Sequence, residues 1–519
     1  MTPSIFARLA RRVTSLRFGL VVSLGFGLLL AASACQLKGR TNDPGGGRRG
    51  PAPTPVGASQ GPSGRSWPAP PPPTAPKPVT FPEVGRFRLS NGLAVYIIEN
   101  HEVPLVSTEL VIRCGTMDDP YLASFTASML GEGTRSRPKS KLDEAIEFVG
   151  GSLSAWAGTH VSTVRARTLK KDLKLALQLV ADEVQNPAFP AAALGKLQQS
   201  AKATLRLSRS QPDVLADTLF DDVIYPNGHP YGRPLATNAQ IDAIDIEDIR
   251  RFHQTFYRAN NGFMLISGDI TKSEARPLVE RAFGGWTSAE RSSLPPNPLN
   301  PFTRYKLPGD LRVHLVDRPS SSQATIRVGN LALARNHEDW AALQVANEVL
   351  GGDSNARLFQ DIREQRSLTY GIYSIVGKGQ APGTFVIETE TRTPTTGEML
   401  AAIFGHIDRL RTEDPPRQEF EAVVRKIVGA FPVEVETPDQ IVQRVREQII
   451  FGLPKGYWKN YRAGVTRVEL SEVRSAALRY VHAVPVVVVV GNAAQIQPQV
   501  EQVLPEAEII VYDEALRPK

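Results

Sequence analysis

The chain has 519 residues, too many for one ordinary hydrophobic core, which indicates at least two domains. Its formal net charge is +7, but ten of the 60 Lys and Arg residues and one of the 53 acidic residues lie in residues 1–79. The remaining 440 residues therefore carry a net charge of −2. Because a nearly neutral globular region has no basic footprint for nucleic acid, nucleic acid is excluded as a partner.

The first 34 residues are typical of a secretory signal. Four arginines precede an apolar run at residues 18–30, and small residues at 32–34 come directly before Cys35. A cysteine in this place resembles a bacterial lipobox, in which the thiol is diacylated and becomes the mature N-terminus. Since Leu is commoner than Ala three residues before that cysteine, ordinary cleavage after residue 34 stays an alternative, as does an uncleaved anchor helix. We expect a lipid-anchored protein on the periplasmic face of a bacterial envelope, with Gln36 favouring the outer membrane.

Residues 35–79 predict a disordered tether. Residues 36–79 contain twelve of the 41 prolines and few large apolar side chains, a composition that cannot bury a core. At about 3.1 Å per residue in the polyproline conformation, this segment reaches on the order of 130 Å. The globular part of the chain can therefore stand well away from a membrane that holds the lipid.

The rest of the chain contains two similar halves. The first opens with two strand patterns around an Asn-Gly turn, at Phe87–Tyr96, and the second opens with a similar pattern at Tyr305–His314. Each half closes with an apolar strand and a helix pattern, beginning at Phe263 and at Val486. Openings and closings are both offset by roughly 220 residues, which is too long a period for a solenoid.

This repeat predicts an α+β fold with two homologous domains, residues 80–290 and 300–519, after the signal and tether. The Pro-rich segment 293–303 joins them. Between the strands lie amphipathic stretches at helical spacing, such as Leu142 and Ile146, and we expect them to be core faces rather than ligand sites.

Four fragments, in this order, carry a family resemblance. They are NGL at residues 91–93, YLASFTASMLGEGT at residues 121–134, HPYGRP at residues 229–234 and a Gly-Gly to Leu-Thr-Tyr stretch at residues 351–370. Their order and spacing resemble the insulinase/pitrilysin family of zinc metallopeptidases, which includes the mitochondrial processing peptidases. The resemblance covers most of residues 80–519 and implies two peptidase-like domains that close like a clamshell.

The same resemblance implies that the zinc site is degenerate. In active members an inverted H-x-x-E-H motif binds zinc through two His, and its Glu activates the bound water. Here the two ligand positions are Ser124 and Ser128, the general-base position is Ala127, and the third-ligand Glu falls at Thr204. Neutral hydroxyls are poor zinc ligands and Ala accepts no proton. We therefore expect no cofactor in this chain, and zinc only in a partner subunit.

No other part of the sequence predicts a substitute site. The eight histidines never pair at i, i+3 or i+4, and Ser124 and Ser128 lack a G-x-S-x-G context. With Cys35 acylated, Cys114 is the only thiol left, which predicts no intrachain disulfide. Because Cys114 ends an apolar strand pattern, we expect a small buried hydrophobe rather than a nucleophile.

One functional element of the family is matched in the second half. Active members have an Arg and a Tyr seven residues apart that hold substrate and stabilise the tetrahedral intermediate, and Arg363 and Tyr370 match this spacing. We predict a substrate-binding role for both. In the alternative, Arg363 caps an exposed helix turn and Tyr370 packs at the start of a strand.

The resemblance thus implies a non-catalytic, zinc-free subunit of an exported metallopeptidase. Its partners would be a homologous zinc-bearing subunit in a heterodimer, a peptide or unfolded polypeptide substrate, and a membrane reached through the N-terminal lipid. A scaffold or peptide-binding protein without peptidase activity in its complex is the alternative, and an autonomous peptidase with an unrecognised site is a third reading.

Overall fold

The structure is a computed structural model. It describes residues 80–225, 228–232, 235–290, 293–302 and 309–519. The expected signal peptide, Cys35 and the tether lie outside these described residues, so their assignments stay predictions. No helix in the described ranges combines the length and apolarity needed to cross a membrane.

The first half contains a six-stranded mixed sheet in the spatial order β1-β2-β6-β3-β5-β4. Its strands are β1 (Gly85–Arg88), β2 (Ala94–Glu99), β3 (Leu105–Ile112), β4 (Ser152–Ala157), β5 (Ser162–Leu169) and β6 (Gly262–Gly268). Its helices are α1 (Leu122–Leu130), α2 (Lys139–Phe148), α3 (Leu173–Gln185), α4 (Ala191–Ser210), α5 (Pro212–Ile224), α6 (Asn238–Asp242), α7 (Ile246–Phe256) and α8 (Lys272–Phe283).

The second half contains a six-stranded sheet in the order β12-β7-β11-β8-β10-β9. Its strands are β7 (Arg312–Asp317), β8 (Gln323–Leu331), β9 (Ile372–Val376), β10 (Thr384–Arg392), β11 (Val486–Gly491) and β12 (Glu508–Tyr512). Its helices are α9 (Trp340–Gly351), a π-helix (Phe359–Gln365), α10 (Thr396–Thr412), α11 (Arg417–Ala430), α12 (Pro438–Ile450), α13 (Tyr457–Thr466), α14 (Leu470–Tyr480) and α15 (Ala493–Val503).

The two sheets repeat one topology, as the internal similarity predicts. In each, the opening strand pairs in parallel with the closing strand, β2 with β6 and β7 with β11, and the next three strands pair antiparallel. The halves differ at one edge. There the first sheet has β1, antiparallel to β2 across the Asn-Gly turn, whereas the second has β12, parallel to β7. Residues 303–308 of the expected second hairpin lie outside the described residues.

Each half covers one face of its sheet with its own helices. The apolar faces of α3 and α8 pack with β2 and β3 in the first core, and α9, α10 and α14 pack with β8 and β10 in the second. Cys114 belongs to the first core and is fully buried, as predicted, although β3 ends two residues earlier, at Ile112. Burial raises the pKa of the Cys114 thiol, so the thiolate is disfavoured.

The opposite face of each sheet is covered by a helix from the other half. Helix α5 packs on β7, β8 and β11 through Leu219 and Phe220, and α12 packs on β2 and β6 through Val442 and Val445. Both sheets are therefore buried on two faces, which explains why a central strand such as β11 is an unbroken run of valines.

Candidate functional site

Helix α1 carries the degenerate zinc positions. Ser124 is half-buried and its hydroxyl donates to the carbonyl oxygen of Pro120, 3.3 Å away, whereas Ala127 is buried and Ser128 is exposed. Thr204 is exposed on α4, which packs against α1. Two Ser, one Ala and one Thr do not fit zinc, and we derive no step through a metal here. Within the described residues, no three His, Cys, Asp or Glu side chains are grouped to hold a metal ion.

Arg363 and Tyr370 line one cavity of about 930 Å³ in the second half. Its walls come from the end of the π-helix, the start of β9 and the strand β10, and the first half contributes Asp213 from α5. The structure thus brings together the two substrate-binding residues predicted from the sequence, in a cavity to which both halves contribute.

The backbone between these two residues explains how both come to line the cavity. The π-helix ends with hydrogen bonds from the N–H of Ser367 to Arg363 and from the N–H of Leu368 to Ile362, 3.2 and 3.1 Å long. Ser367 has a φ of +55°, in the left-handed region that non-glycine residues rarely adopt. Both a π-helix and a strained φ are frequent at functional sites. Here they turn the chain so that Tyr370 enters the cavity just before β9.

The two side chains differ in their surroundings. The guanidinium of Arg363 lies 5.2 Å from the ring centroid of Phe359 and pairs with Glu364, while its side chain stays 40% exposed. Tyr370 is 93% exposed. The alternative that Tyr370 packs at the start of a strand is therefore wrong, because the ring is almost entirely accessible.

The cavity also holds a charge cluster that the sequence reasoning missed. Arg327 is buried in β8 and donates to Asp213 at 2.9 Å and Asp217 at 2.7 Å, both on α5. Burial raises the pKa of the nearby Glu388; Arg327 opposes this shift, and the two aspartates add to it. The sequence did contain a signal for this cluster, because Arg327 is a single cation between Ile and Val in an apolar strand. A buried cation requires an acidic partner, so this pattern predicts a nearby carboxylate.

The H-P-Y-G fragment joins the halves instead of lining that cavity. The hydroxyl of Tyr231 accepts hydrogen bonds from the N–H of Gln380 at 3.0 Å and of Ala381 at 3.5 Å, in the β9–β10 turn. It also lies 2.6 Å from Nε2 of His160, and burial lowers the pKa of His160 to about 4. These contacts tie the first half to the second through one neutral hydrogen-bond network.

Comparison with known proteins agrees with this repeated architecture. The family model described as "Insulinase (Peptidase family M16)" matches residues 94–238, and the model described as "Peptidase M16 inactive domain" matches residues 243–427. An uncharacterized zinc protease of Rickettsia bellii is 25% identical over 340 residues, covering 64% of this chain and 79% of the relative. An uncharacterized zinc protease of Streptomyces coelicolor is 26% identical over 373 residues, which cover 70% of this chain and 79% of the relative.

The fold itself has a solved counterpart. The crystal structure of a peptidase M16 inactive domain from Pseudomonas fluorescens superimposes with a TM-score of 0.70 at 23% identity, covering 79% of this chain and 98% of that one. The described residues therefore form a mixed α/β protein with two M16-type domains. The chain belongs to the insulinase family of peptidases, family M16.

Proposed function

We propose that this chain is the non-catalytic subunit of an exported M16 peptidase, in which a homologous partner supplies the zinc and the general base. The observation that carries this proposal is that Arg363 and an almost fully exposed Tyr370 line one open cavity. The same chain has Ser, Ala, Ser and Thr at the zinc and base positions.

The proposed task of the cavity is to hold an extended peptide against the partner's site. The Arg363 guanidinium and the Tyr370 hydroxyl are both hydrogen-bond donors, and donors aimed at a developing oxyanion contribute about 3–4 kcal/mol each in enzymes generally. Arg363 and its ion-pair partner Glu364 are 40% and 43% exposed, so the guanidinium stays accessible to a substrate. A lipid at Cys35, with the two domains closing as a clamshell, completes the proposed subunit at the envelope membrane.

Two experiments test the proposal. The first is mass spectrometry of whatever co-purifies stoichiometrically with the chain from its native membrane. A homologous chain carrying H-x-x-E-H supports a heterodimeric enzyme. A lone chain, or envelope proteins without that motif, would contradict it and favour the scaffold alternative.

The second experiment uses the reconstituted complex and a peptide substrate. We expect Arg363→Ala and Tyr370→Phe each to lower kcat/KM by about a hundredfold to a thousandfold, with assembly unchanged. Arg392→Ala and Tyr373→Phe are matched controls because both residues line the same cavity. Equal losses in the variants and the controls would remove Arg363 and Tyr370 from the site.

A further inference from the structure

A second cavity, of about 420 Å³, lies in the first half, away from the residues discussed above. It is bounded by the loop after α3, by the C-terminal half of α7, and by the residues that follow α8. Among the described residues that line it, three are arginines, Arg135, Arg250 and Arg258, and none is acidic.

Two of these arginines have no counter-charge in the part of the chain that the structure describes. Arg250 pairs with Glu247 on the surface of α7, at 2.5 Å. Arg135 and Arg258, in contrast, take part in no ion pair or side-chain hydrogen bond among the described residues. Neighbouring guanidinium groups repel one another, so a concave site that gathers them without a carboxylate is electrostatically incomplete.

The aromatic part of the cavity wall is uncharged. His253 stacks on Tyr257 with 4.8 Å between ring centroids and meets the edge of Phe189 at 5.4 Å. Nε2 of His253 donates to the carbonyl oxygen of Val184, 2.8 Å away, and burial lowers the pKa of this imidazole to about 4. His253 is therefore uncharged at neutral pH, and the cationic part of the site is confined to the arginines.

Two backbone features keep the site in shape. Phe189 has a φ of +49°, an unfavourable conformation for a non-glycine residue. The N–H of Arg135 donates to the carbonyl oxygen of Asn186 at 2.8 Å, which fixes the loop carrying this arginine against the end of α3. The guanidiniums thus project from a framework that is already ordered.

We propose that this cavity binds a phosphate group, carried either by a soluble phosphoester or by a lipid headgroup. A phosphomonoester carries a charge of about −1.5 to −2 at pH 7, which matches the two uncompensated guanidiniums better than a carboxylate does. Arg is also the side chain whose planar donors fit phosphate oxygens in pairs. The proposal is independent of the peptidase role, since it uses none of the residues assigned to that role.

The test for a soluble ligand is calorimetric titration of the full-length, detergent-solubilised chain with inorganic phosphate and pyrophosphate, with acetate at equal ionic strength for comparison. We expect Arg135→Gln/Arg258→Gln to weaken phosphate binding about tenfold or more for each guanidinium removed. Arg206→Gln/Arg281→Gln is the matched control, because it removes the same charge from two exposed arginines outside the cavity. If the double variant fails to fold, Arg135→Gln alone, in an exposed loop, gives the same test.

The test for a lipid source is flotation with vesicles of phosphatidylcholine, with and without phosphatidic acid. The chain carries Cys35→Ser here, so that acylation does not anchor it. If soluble phosphate binds and the binding depends on Arg135 and Arg258, the ligand is a soluble phosphoester. If only vesicles with phosphatidic acid bind, again through Arg135 and Arg258, the ligand is a lipid headgroup. Binding of neither, binding of acetate as tight as that of phosphate, or equal weakening in the control variant would overturn the proposal.

Discussion

Replacing Glu447 by Gln is expected to weaken the attachment of α12 to the rest of the second half. Glu447 lies on α12, the helix of the second half that covers the first sheet, and its carboxylate is the anion of a buried cluster. It accepts from Nε of Arg335 at 2.7 Å and lies 3.2 Å from Nζ of Lys378 and 3.5 Å from Arg444. The side chains of Glu447 and Arg335 are only 7% and 2% exposed.

The magnitude follows from this burial. Removing one partner of a buried ion pair costs about 3–5 kcal/mol, because the other charge is left uncompensated. We expect a loss near the lower limit, about 3 kcal/mol in the free energy of unfolding, since the amide oxygen of Gln still accepts from Arg335. The aromatic rings of Trp340 and Tyr457, 4.6 and 5.0 Å from the guanidinium, retain part of its stabilisation.

The pH dependence has a defined sign. Burial opposes ionisation of Glu447, but Lys378 and Arg335 outweigh it and hold its pKa below the ordinary value. A depressed carboxyl pKa stabilises the fold above the unfolded-state pKa, and this contribution is lost as the pH falls through the folded-state pKa. The difference between wild type and Glu447→Gln should therefore be full at pH 7 and shrink in acid.

Urea unfolding followed by tryptophan fluorescence measures this loss. The matched control is Glu434→Gln, because Glu434 also pairs with Arg444 but is 45% exposed, and such a surface pair contributes about 0–1 kcal/mol. A loss in Glu447→Gln no larger than that in Glu434→Gln would refute the reasoning.

Three further predictions concern stability. Burial raises the pKa of Glu183 to about 7, so ionisation of this carboxyl destabilises the fold as the pH rises from about 4.5 to 7. Glu183→Gln should therefore raise the free energy of unfolding by up to about 3 kcal/mol at pH 8 but hardly change it at pH 4. An equal gain at both pH values would contradict this. Gly268→Ala should lower the free energy of unfolding by more than about 3 kcal/mol, because φ is +122° and the new Cβ would lie 2.0 Å from a carbonyl oxygen of β3. The control is Gly285→Ala, whose new Cβ meets open space. Similar melting temperatures for the two variants would disprove the steric argument. Tyr231→Phe should lose about 1–3 kcal/mol, since the N–H of Gln380 loses its acceptor, and unchanged hydrogen exchange at that amide would count against it.

Local patterns in the sequence predicted much of the fold. The Asn-Gly turn specified the β1–β2 hairpin, and the closing strands at 262–268 and 486–491 followed from apolar runs ended by Gly. Helix α2 followed from Leu142 and Ile146, which lie four residues apart on one face and are both buried. These elements are set by interactions within a few residues, which is why a single sequence reveals them.

Features that depend on long-range contacts were not predictable. The apolar face of α5 indicates a buried helix but not the sheet it covers, because its partner strands begin about 90 to 260 residues after it ends. The pairing of Arg327 with Asp213 has the same origin. For the candidate site, the spacing of Arg363 and Tyr370 indicated a function only through a family resemblance. The π-helix that precedes Tyr370 could not be predicted, because it has no distinct sequence periodicity of its own.

The reciprocal placement of α5 and α12 has a consequence for how the chain can be divided. A fragment ending near residue 290 would keep α5 but expose the sheet face that α12 covers, and the complementary fragment would expose the face that α5 covers. Each fragment would present an apolar surface shaped for the other, so a cut between residues 290 and 309 should give two polypeptides that remain associated. The peptide link between the halves then mainly raises the effective concentration of each half near the other. The interface between the two halves is, in physical terms, that of a dimer whose subunits are covalently linked.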